Sequence, residues 1–256
     1  MADGIYTALT GSLAQQHALD TIATNVANAN TTGFRGDRVV FGELLAGSQK
    51  NQNVDPRQPA PLRADKFVRV DQNQLDSTSG MLRPTGNTLD VGIHGEGFFT
   101  VHTPQGDRLT RSGNFMLNAN GEISTQDGYP VIGDGNQPIV IPRNTKSIEI
   151  TTDGVVRADN VDIARFALKR VSDPTRLVRE GTTNYAVTKD TSVTTMGTQL
   201  GKVQVMQGHL EASNVNPIAG LNELITVNRS FDALQKVIES FQNIDQRAAR
   251  DIASRT

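Results

Sequence analysis

A long apolar stripe near the C-terminus constrains this chain more than any other feature. Between Pro217 and Ala253 the stripe advances in alternating steps of three and four residues, the a/d spacing of a coiled-coil seam. Pro217 suits the first turn of a helix, and no Gly or Pro follows Gly220 in this stretch. The pattern predicts one helix over residues 217–253, roughly 55 Å long at 1.5 Å per residue. The seam positions are Leu224, Val227, Phe231, Leu234, Ile238, Phe241, Asp245, Ala248 and Ile252.

A helix of this length has two interpretations, and the pattern alone leaves both open. It can lie along the surface of its own domain. Alternatively, because it is longer than a compact domain, it can pack against a partner. Asp245 is the only polar residue of the seam. It either sets the register of a pairing or marks a point where the seam meets water.

Residues 3–30 predict a second, weaker helix. Its two seam positions hold Ile5, Ser12, Leu19 and Val26 in one row and Ala8, Gln15, Ile22 and Ala29 in the other, and Leu9 and Leu13 widen the apolar side. Gly4 and Gly11 each lower helicity by up to roughly 1 kcal/mol, so this helix needs a partner to hold its shape. The Asn- and Thr-rich stretch 25–34 ends the helix, and Gly33 there can adopt a positive φ.

The middle of the chain, from about Lys66 to Val205, has the pattern of an antiparallel β domain. Short apolar runs recur every 8 to 12 residues and are separated by Asn-Gly and Asp-Gly pairs. We expect a type I′ hairpin turn at Asn120-Gly121. The predicted fold class is therefore α+β, with a central antiparallel all-β domain between N- and C-terminal amphipathic, coiled-coil-type helices.

This pattern predicts four segments along the chain. They are an N-terminal helical assembly segment (1–34), a partly extended linker (35–65), a β-rich domain (66–209) and a C-terminal helical assembly segment (210–256). The apolar cluster at 39–45 is either a strand or the last turn of a helix. We expect the terminal helices to pair with each other and with neighbouring copies. The predicted assembly interface comprises Ile5, Leu9, Leu19, Ile22, Val26, Leu224, Val227, Phe231, Leu234, Ile238, Phe241 and Ile252.

The composition argues against several classes of partner. Lys+Arg number 25 against 27 Asp+Glu, so nothing favours nucleic acid or an anionic membrane. The chain has no Cys, which leaves its compartment open. The N-terminus lacks the pattern of a cleaved signal peptide, and no apolar run is long enough to span a membrane. We expect either a cytoplasmic protein or export by a route without a cleaved signal.

A search for catalytic chemistry gives no positive support for an enzyme. The four His residues are scattered and lack metal-ligand spacing. Gly95–Phe99 begins like a dinucleotide fingerprint, but strands follow it rather than a helix. Residues 118–122 suggest a calcium loop but lack its bidentate acid. We expect no catalytic residue, metal, cofactor or small-molecule substrate.

Four motifs, in the same order along the chain, resemble those of the bacterial flagellar axial proteins, the rod and hook group. The first holds Asn25, Asn28, Thr32, Gly33 and Phe34 before Arg35. The second is Gly95-Glu-Gly97-Phe98-Phe99, followed by Thr110–Phe115. The third runs from Asn120-Gly121 into Gly128–Gly133. The fourth is Leu210–Asn216, which includes Ser213, Asn214 and Val215. The resemblance covers nearly the whole chain.

The resemblance implies a structural subunit of the basal-body rod. Such subunits are exported unfolded through the flagellar type III export apparatus, without a cleaved signal. They polymerise with themselves and with other rod subunits into a tube that crosses the periplasm and transmits torque from motor to hook. The terminal helices form the inner core of that tube and the β domain its outer layer. The length resembles a rod protein rather than the larger hook subunit. Residues 84–91 and 173–180 look more like the proximal than the distal rod subunits, and the linker after Leu45 is short for a distal one.

Two alternatives remain open at this point. One is a distal-rod or hook-type axial subunit. The other is a β-rich binding module with helical oligomerisation arms, which would form a small stable oligomer and show a ligand-dependent melting shift.

Overall fold

Both terminal helices are present in a computed structural model of the chain, which describes residues 2–46, 65–70, 73–188, 191–196 and 203–253. Helix α1 spans Ala2–Ala27 and helix α2 spans Pro217–Ala253, which confirms the predicted bounds of the C-terminal helix. The described residues between them form short strands, a 3-10 helix at Pro174–Arg176, and turns. The α+β fold class is therefore confirmed.

The strands of the described residues are short and follow the apolar runs of the sequence. In chain order they are β1 Asp37–Arg38, β2 Phe41–Ala46, β3 Asp65–Val70, β4 Gln74–Leu75, β5 Leu82–Pro84, β6 Val91–His94, β7 Phe99–Thr103, β8 Gly106–Thr110, β9 Met116–Leu117, β10 Ile123–Ser124, β11 Ile148–Ile150, β12 Val155–Ala158, β13 Val161–Arg165, β14 Leu168–Val171, β15 Val178–Glu180, β16 Asn184–Ala186, β17 Val193–Met196, β18 Gln204–Gln207 and β19 His209–Glu211.

The chain divides into two compact units. The helical unit comprises residues within 1–24, 38–73 and 218–256, and the β unit comprises residues within 25–37 and 74–217. In the helical unit, β2 and β3 form an antiparallel pair in which Phe41 opposes Val70. The apolar cluster at 39–45 is therefore largely strand. The predicted linker mostly lies outside the described residues, which resume at Asp65.

The β unit is closed by strands from opposite ends of its sequence. Its largest sheet has the antiparallel order β15-β16-β8-β7, and β11-β12-β13 form a second sheet. The last two strands of the unit pair with early ones, because β18 lies against β6 and β19 against β5. This closure brings residues 209–211 beside 82–84.

Aromatic rings fill the main core of the β unit. Phe99 is fully buried and meets Phe115 and Phe166 edge-on, with ring centroids 5.1 and 5.4 Å apart. Val91, Ile93, Val101 and other strand residues surround these rings. A second cluster forms around Phe98, Leu109 and Tyr185.

The unit boundaries differ from the predicted segment boundaries at 34 and 209. Residues 25–34 and 210–217, which were predicted as parts of the helical segments, belong to the β unit, as do residues 35–37 of the predicted linker. The physical reason is burial, since Phe34 is 1% exposed and Glu211 2% exposed. The burial of these residues within the β unit leaves no periodic signal in the sequence.

The turn at Asn120-Gly121 is not of type I′, so that prediction is wrong. Type I′ needs positive φ at both central residues, and only Gly121, at +82°, has it in this pair. The amide of Gly121 donates to the carbonyl of Asn118 at 3.0 Å, so Ala119 and Asn120 are the central residues. The glycine follows the turn in the left-handed region, as in a three-residue hairpin loop with a G1 bulge.

Candidate functional site: a motif junction and two helical faces

Three of the four sequence motifs meet at one place in the β unit. We call this cluster the motif junction and define it as Gly33, Phe34, Arg35, Gly36, Gly80, Phe98, Arg111, Glu211 and Asn214. Strand β19 carries Glu211 into it, and the turn after α1 carries Gly33. Arg111 enters from the end of β8.

The Glu211 carboxylate lies at the centre of the motif junction. Arg111 Nη1 donates to Oε2 at 2.9 Å, and Arg35 Nη2 lies 3.4 Å from Oε1. The backbone amide of Gly80 donates to the same Oε1 at 3.0 Å. All three charged residues are only 2% exposed, so the carboxylate is satisfied by protein groups away from bulk water.

The two guanidinium groups share this one carboxylate and the face of one aromatic ring. Arg35 and Arg111 lie 5.4 and 5.2 Å from the centroid of Phe98. Arg35 also donates to the carbonyl of Ser77 at 2.9 Å, and Arg111 to the carbonyl of Ile93 at 3.2 Å. These bonds hold both cations in fixed positions.

Burial lowers the pKa of the Arg111 guanidinium to about 10. The neighbouring Glu211 carboxylate raises this pKa in opposition, and the charge of Arg35 lowers it. The charged form of Arg111 thus depends on Glu211 to offset both its burial and its cationic neighbour.

Backbone hydrogen bonds join the first and last motifs directly. The amide of Gly33 donates to the carbonyl of Glu211 at 2.8 Å, and the amide of Asn214 donates to the carbonyl of Phe34 at 3.3 Å. The side-chain oxygen of Asn214 accepts from the amide of Gly36 at 2.8 Å. Gly33 has the predicted positive φ of +68°, and a Cβ there would lie 2.3 Å from the amide nitrogen of Ser112. Only glycine fits this approach.

A second ion pair fixes the N-terminal motif beside the junction. Arg179 Nε donates to Asp37 Oδ2 at 2.9 Å, and its guanidinium lies 4.4 Å from the centroid of Phe34. Asn25 holds Asp37 from the other side, because its side chain bonds both the carbonyl and the amide of Asp37 at 2.8 and 2.9 Å. Asn25 therefore links the last turn of α1 to strand β1.

The remaining motif residues have local roles or lie in the core. Asn28 Oδ1 accepts from the Thr31 hydroxyl at 3.1 Å, and Thr32 is half-buried in the same turn. Ser213 Oγ accepts from the amide of Val215 at 3.2 Å. Gly95 has φ +102° and precedes β7, while Gly97 and Phe99 line the main core near Met196 and Phe115.

The predicted α2 seam is visible in the pattern of burial along the helix. Its side chains are half-buried while their neighbours on the helix are mostly exposed, in agreement with the three-four spacing. This holds for Leu224, Val227, Phe231, Leu234, Ile238 and Phe241. The side chains of Asp245 and Ile252 lie outside the described residues.

The predicted α1 residues fall on both sides of that helix. Ile22 is buried, and Ile5, Leu19 and Val26 are half-buried, whereas Leu9 is exposed. The most buried face of α1 also includes small residues, among them Ala8, Ser12, Ala14 and Ala18. Small side chains allow another helix to approach closely.

The two helices meet within one chain, in the helical unit. A Cβ at Gly11 would lie 3.5 Å from Leu234 Cδ1, and Gln235 Nε2 donates to Ser12 Oγ at 3.1 Å. The small-residue face of α1 thus faces part of the α2 seam. This pairing leaves the seam side chains half-buried rather than enclosed.

A further apolar surface lies on these helices, and of its residues only Leu9 and Leu13 had been predicted to lie on an apolar side. Ile218, Leu221 and Ile225 are 72%, 51% and 51% exposed and follow the helical steps of three and four at the start of α2. Tyr6, Leu9 and Leu13 form a similar exposed row on α1. Rows of exposed apolar residues of this kind mark contact surfaces more often than isolated ones do.

The described part of the chain offers no group of three or more His, Asp or Glu placed to hold a metal ion. Residues 95–99 lead into strand β7, as expected. Within the described residues, no helix is long and apolar enough to cross a membrane.

Sequence reasoning missed the charged centre of the junction. Arg35, Arg111 and Glu211 each stand inside a motif, but no spacing rule connects residues that are far apart in sequence. One signal could have revealed these three residues. Each stands beside glycine or apolar residues within a motif, which indicates burial, and a buried charge needs a partner.

Three family models match the chain. The flagella basal body rod protein model matches residues 5–35, the flagellar hook protein FlgE/F/G D1 domain model residues 92–158, and the flagellar basal body rod FlgEFG protein C-terminal model residues 206–251. Each matched segment contains one of the three charged residues of the junction.

Similar proteins span the full length of the chain. A flagellar basal-body rod protein FlgF from Mesorhizobium japonicum is 30% identical over 256 residues, which is 100% of both chains. One from Rhizobium meliloti is 34% identical over 91% of this chain and 90% of the relative. A flagellar basal-body rod protein FlgG from Agrobacterium fabrum is 33% identical over 90% of this chain and 92% of the relative. The chain therefore belongs to the flagellar basal-body rod protein family, as a structural subunit of the rod.

Proposed function

We propose that this rod subunit polymerises through α1 and α2 into a helical tube that transmits torque from the motor to the hook. The observation that carries the proposal is the incomplete burial of the α2 seam. Full burial of one large apolar side chain contributes about 1.5–3 kcal/mol relative to exposure. Six half-buried seam side chains therefore leave several kcal/mol, by order of magnitude, to be gained from a neighbouring copy.

The exposed row at the start of α2 supports the same proposal. The row of Ile218, Leu221 and Ile225 is displaced around α2 from the seam row, so a neighbour can contact a wider face of α2 than the seam alone. A contact between different surfaces of identical subunits does not close on itself and so generates a helical filament. The predicted interface residues on both helices, from Ile5 to Ile252, are the proposed contacts.

The β unit has a different part in this proposal. Its buried ion pairs and aromatic core hold it together within one chain, so it can form the outer layer of the tube without help from neighbours. The partners of the subunit are copies of itself and other rod subunits. We further propose export through the flagellar type III apparatus without a cleaved signal, which places the protein in the periplasm-spanning rod.

The direct test is a Phe231→Asp substitution in the full chain, introduced into a motile bacterium in place of its own rod gene. A buried charge in the seam should abolish rod completion and swimming, because an unpaired charge in an interface is strongly unfavourable. Asn228→Asp is the matched control, since it adds the same charge at an exposed position of α2. The circular dichroism and melting of the β unit should be unchanged in both variants.

Rods that still form with Asp at position 231 would show that the seam is wrongly assigned. Loss of motility in the Asn228→Asp strain as well would show that α2 does not tolerate added charge in general, and the seam would then have no special role.

We propose a proximal rather than a distal position in the rod, on the basis of residues 84–91 and 173–180 and of the short linker after Leu45. A distal-rod or hook-type subunit is the alternative. Imaging of purified basal bodies with a labelled subunit separates the two, because the label falls near the motor for a proximal subunit and near the hook for a distal one.

A further inference from the structure

We infer that two exposed apolar rows on the terminal helices are complementary contact surfaces, so that the row on α1 of one copy packs onto the row on α2 of the next copy. The inference rests on the proposed function, because it names which surfaces of neighbouring copies meet in the rod. The α1 row comprises Tyr6, Leu9 and Leu13, and the α2 row comprises Ile218, Leu221 and Ile225.

The two rows match in length and in exposed surface. Each has the spacing i, i+3, i+7, so each covers two helical turns, roughly 10 Å, on one side of its helix. Exposure of the side chains ranges from 45% to 58% on α1 and from 51% to 72% on α2. Three such side chains leave on the order of 300 Å² of apolar surface on each row. Each row can therefore cover most of the other.

Both rows lie in stretches of sequence that carry almost no charge. Residues 4–16 of α1 hold no Asp, Glu, Lys or Arg, and residues 217–228 of α2 hold only one of these. The rest of α2 differs, because residues 229–253 hold eight charged residues. The other exposed large apolar residues of α2, Val237 and Ile244, lie among these charges. Charged residues are depleted at the centres of protein interfaces, so this distribution favours the two rows as contact surfaces.

The two rows of one chain are too far apart to reach each other. A Cβ at Gly11, within the α1 row, would lie 3.5 Å from Leu234 Cδ1, so the α1 row lies beside Leu234. Leu221 precedes Leu234 by 13 residues, which separates the rows by roughly 20 Å along the helices. A neighbouring copy displaced by about that distance brings its α1 row to the level of this α2 row. The partner of each row is therefore a second copy.

The contact between rows is too small to hold two copies together by itself. The two rows bury about 600 Å² together, whereas stable interfaces bury about 1,200 Å² or more. Because the two surfaces differ, each copy uses its α1 row toward one neighbour and its α2 row toward another, and the contacts continue along a filament. The subunit should thus be monomeric in dilute solution, and the row contacts should form only in the assembled rod.

Cysteine cross-linking tests this pairing directly, because the chain contains no Cys. The double variant Leu9→Cys/Leu221→Cys is introduced into a motile bacterium in place of its own rod gene, and purified basal bodies are oxidised. A disulfide requires Cα atoms within about 7 Å, so the two positions cannot join within one chain. We expect covalently linked dimers and longer series of the subunit, since each copy links to two neighbours. The dilute monomer should give none.

Three control variants separate this pairing from other contacts. Leu9→Cys alone and Leu221→Cys alone should give no linked subunits, because like rows do not meet. Leu9→Cys/Thr226→Cys should give none either, since Thr226 is exposed near the same level of α2 but on a different side of the helix. Linked dimers from Leu221→Cys alone would overturn the inference. So would rods that contain the double variant and give no link.

A charge pair keeps the inference testable if the Cys variants do not assemble. Leu9→Glu or Leu221→Lys alone should reduce swimming on the order of tenfold or more, because a charge would be buried without a partner. The two together should restore most of the lost motility, because the opposite charges face each other across the contact. Normal swimming with either single substitution, or no recovery in the double variant, would contradict the pairing of the rows. Absence of the unmodified subunit from purified basal bodies would instead overturn the proposed function, and the inference with it.

Discussion

In the β unit even the charged residues of the motif junction are almost fully buried, whereas in the helical unit the apolar side chains of the α2 seam remain half-exposed. The charged groups of the junction, Arg35, Arg111 and Glu211, form their ion pairs within one chain. The seam of α2 meets α1 at Gly11 and Ser12 but is not enclosed by it. We propose that the β unit is complete by itself and that neighbouring copies complete the helical unit.

This difference separates the residues of the sequence motifs from those that we propose to assemble the rod. The motifs of the first and last segments build the inside of a single subunit. The helical surfaces lie mostly outside those motifs and consist of ordinary apolar residues at helical spacing. A charged residue must find an exact partner to be buried, while an apolar seam accepts many side chains of similar volume.

The largest effect on stability should follow loss of the junction carboxylate. Glu211→Gln should lower the free energy of unfolding of the β unit by about 3–5 kcal/mol, because two buried cations lose their counter-charge. Arg35→Met should cost less, about 1–3 kcal/mol, since it leaves the Arg111–Glu211 pair intact. Urea unfolding of the purified monomers measures both values. Equal costs would mean that the junction does not depend on its single carboxylate.

A glycine tests how tightly the junction is packed. A Cβ at Gly80 would lie 1.8 Å from the carbonyl oxygen of Ala212, so Gly80→Ala should destabilise the β unit by about 3 kcal/mol. Gly135→Ala serves as the control, because a Cβ there meets nothing within 4 Å. Its thermal unfolding should match the wild type, and a similar result for Gly80→Ala would contradict the close approach.

The same substitution in each unit compares their packing directly. Leu168 is 1% exposed in the main core, and Leu168→Ala should cost about 2–5 kcal/mol. Leu234 is half-buried against Gly11, so Leu234→Ala should cost the monomer no more than about half as much. Chemical unfolding followed by probes in each unit measures the two losses. A larger loss at Leu234 would show that the helical unit is already complete in the monomer.

The helices and strands could be predicted from the sequence because their signals are local. The a/d spacing and Pro217 define α2, and alternating apolar runs with Gly-containing turns define most strands. The turn type at Asn120-Gly121 was missed because a dipeptide does not determine which residues occupy the central positions. The backbone of the flanking strands decides it.

The site was only partly predictable, because its key contacts are long-range. The α2 seam follows from periodicity alone. The buried face of α1 includes Ala14 and Ala18, which carry little hydrophobic signal and are buried because another helix comes close. The Arg35–Glu211 contact joins residues 176 apart, and only the closure of β19 onto β5 brings them together.

Hydrogen exchange of the wild-type subunit, free in dilute solution and within purified basal bodies, tests the central claim most directly. The account predicts that amides of residues 5–26 and 218–250 exchange faster in the monomer than those of the β unit and gain strong protection on assembly. Amides of 33–37 and 211–215 should be protected in both states. Strong protection of 5–26 in the dilute monomer, or a gain in the junction as large as that in the helices, would contradict the division between a self-contained β unit and a helical unit that neighbours complete.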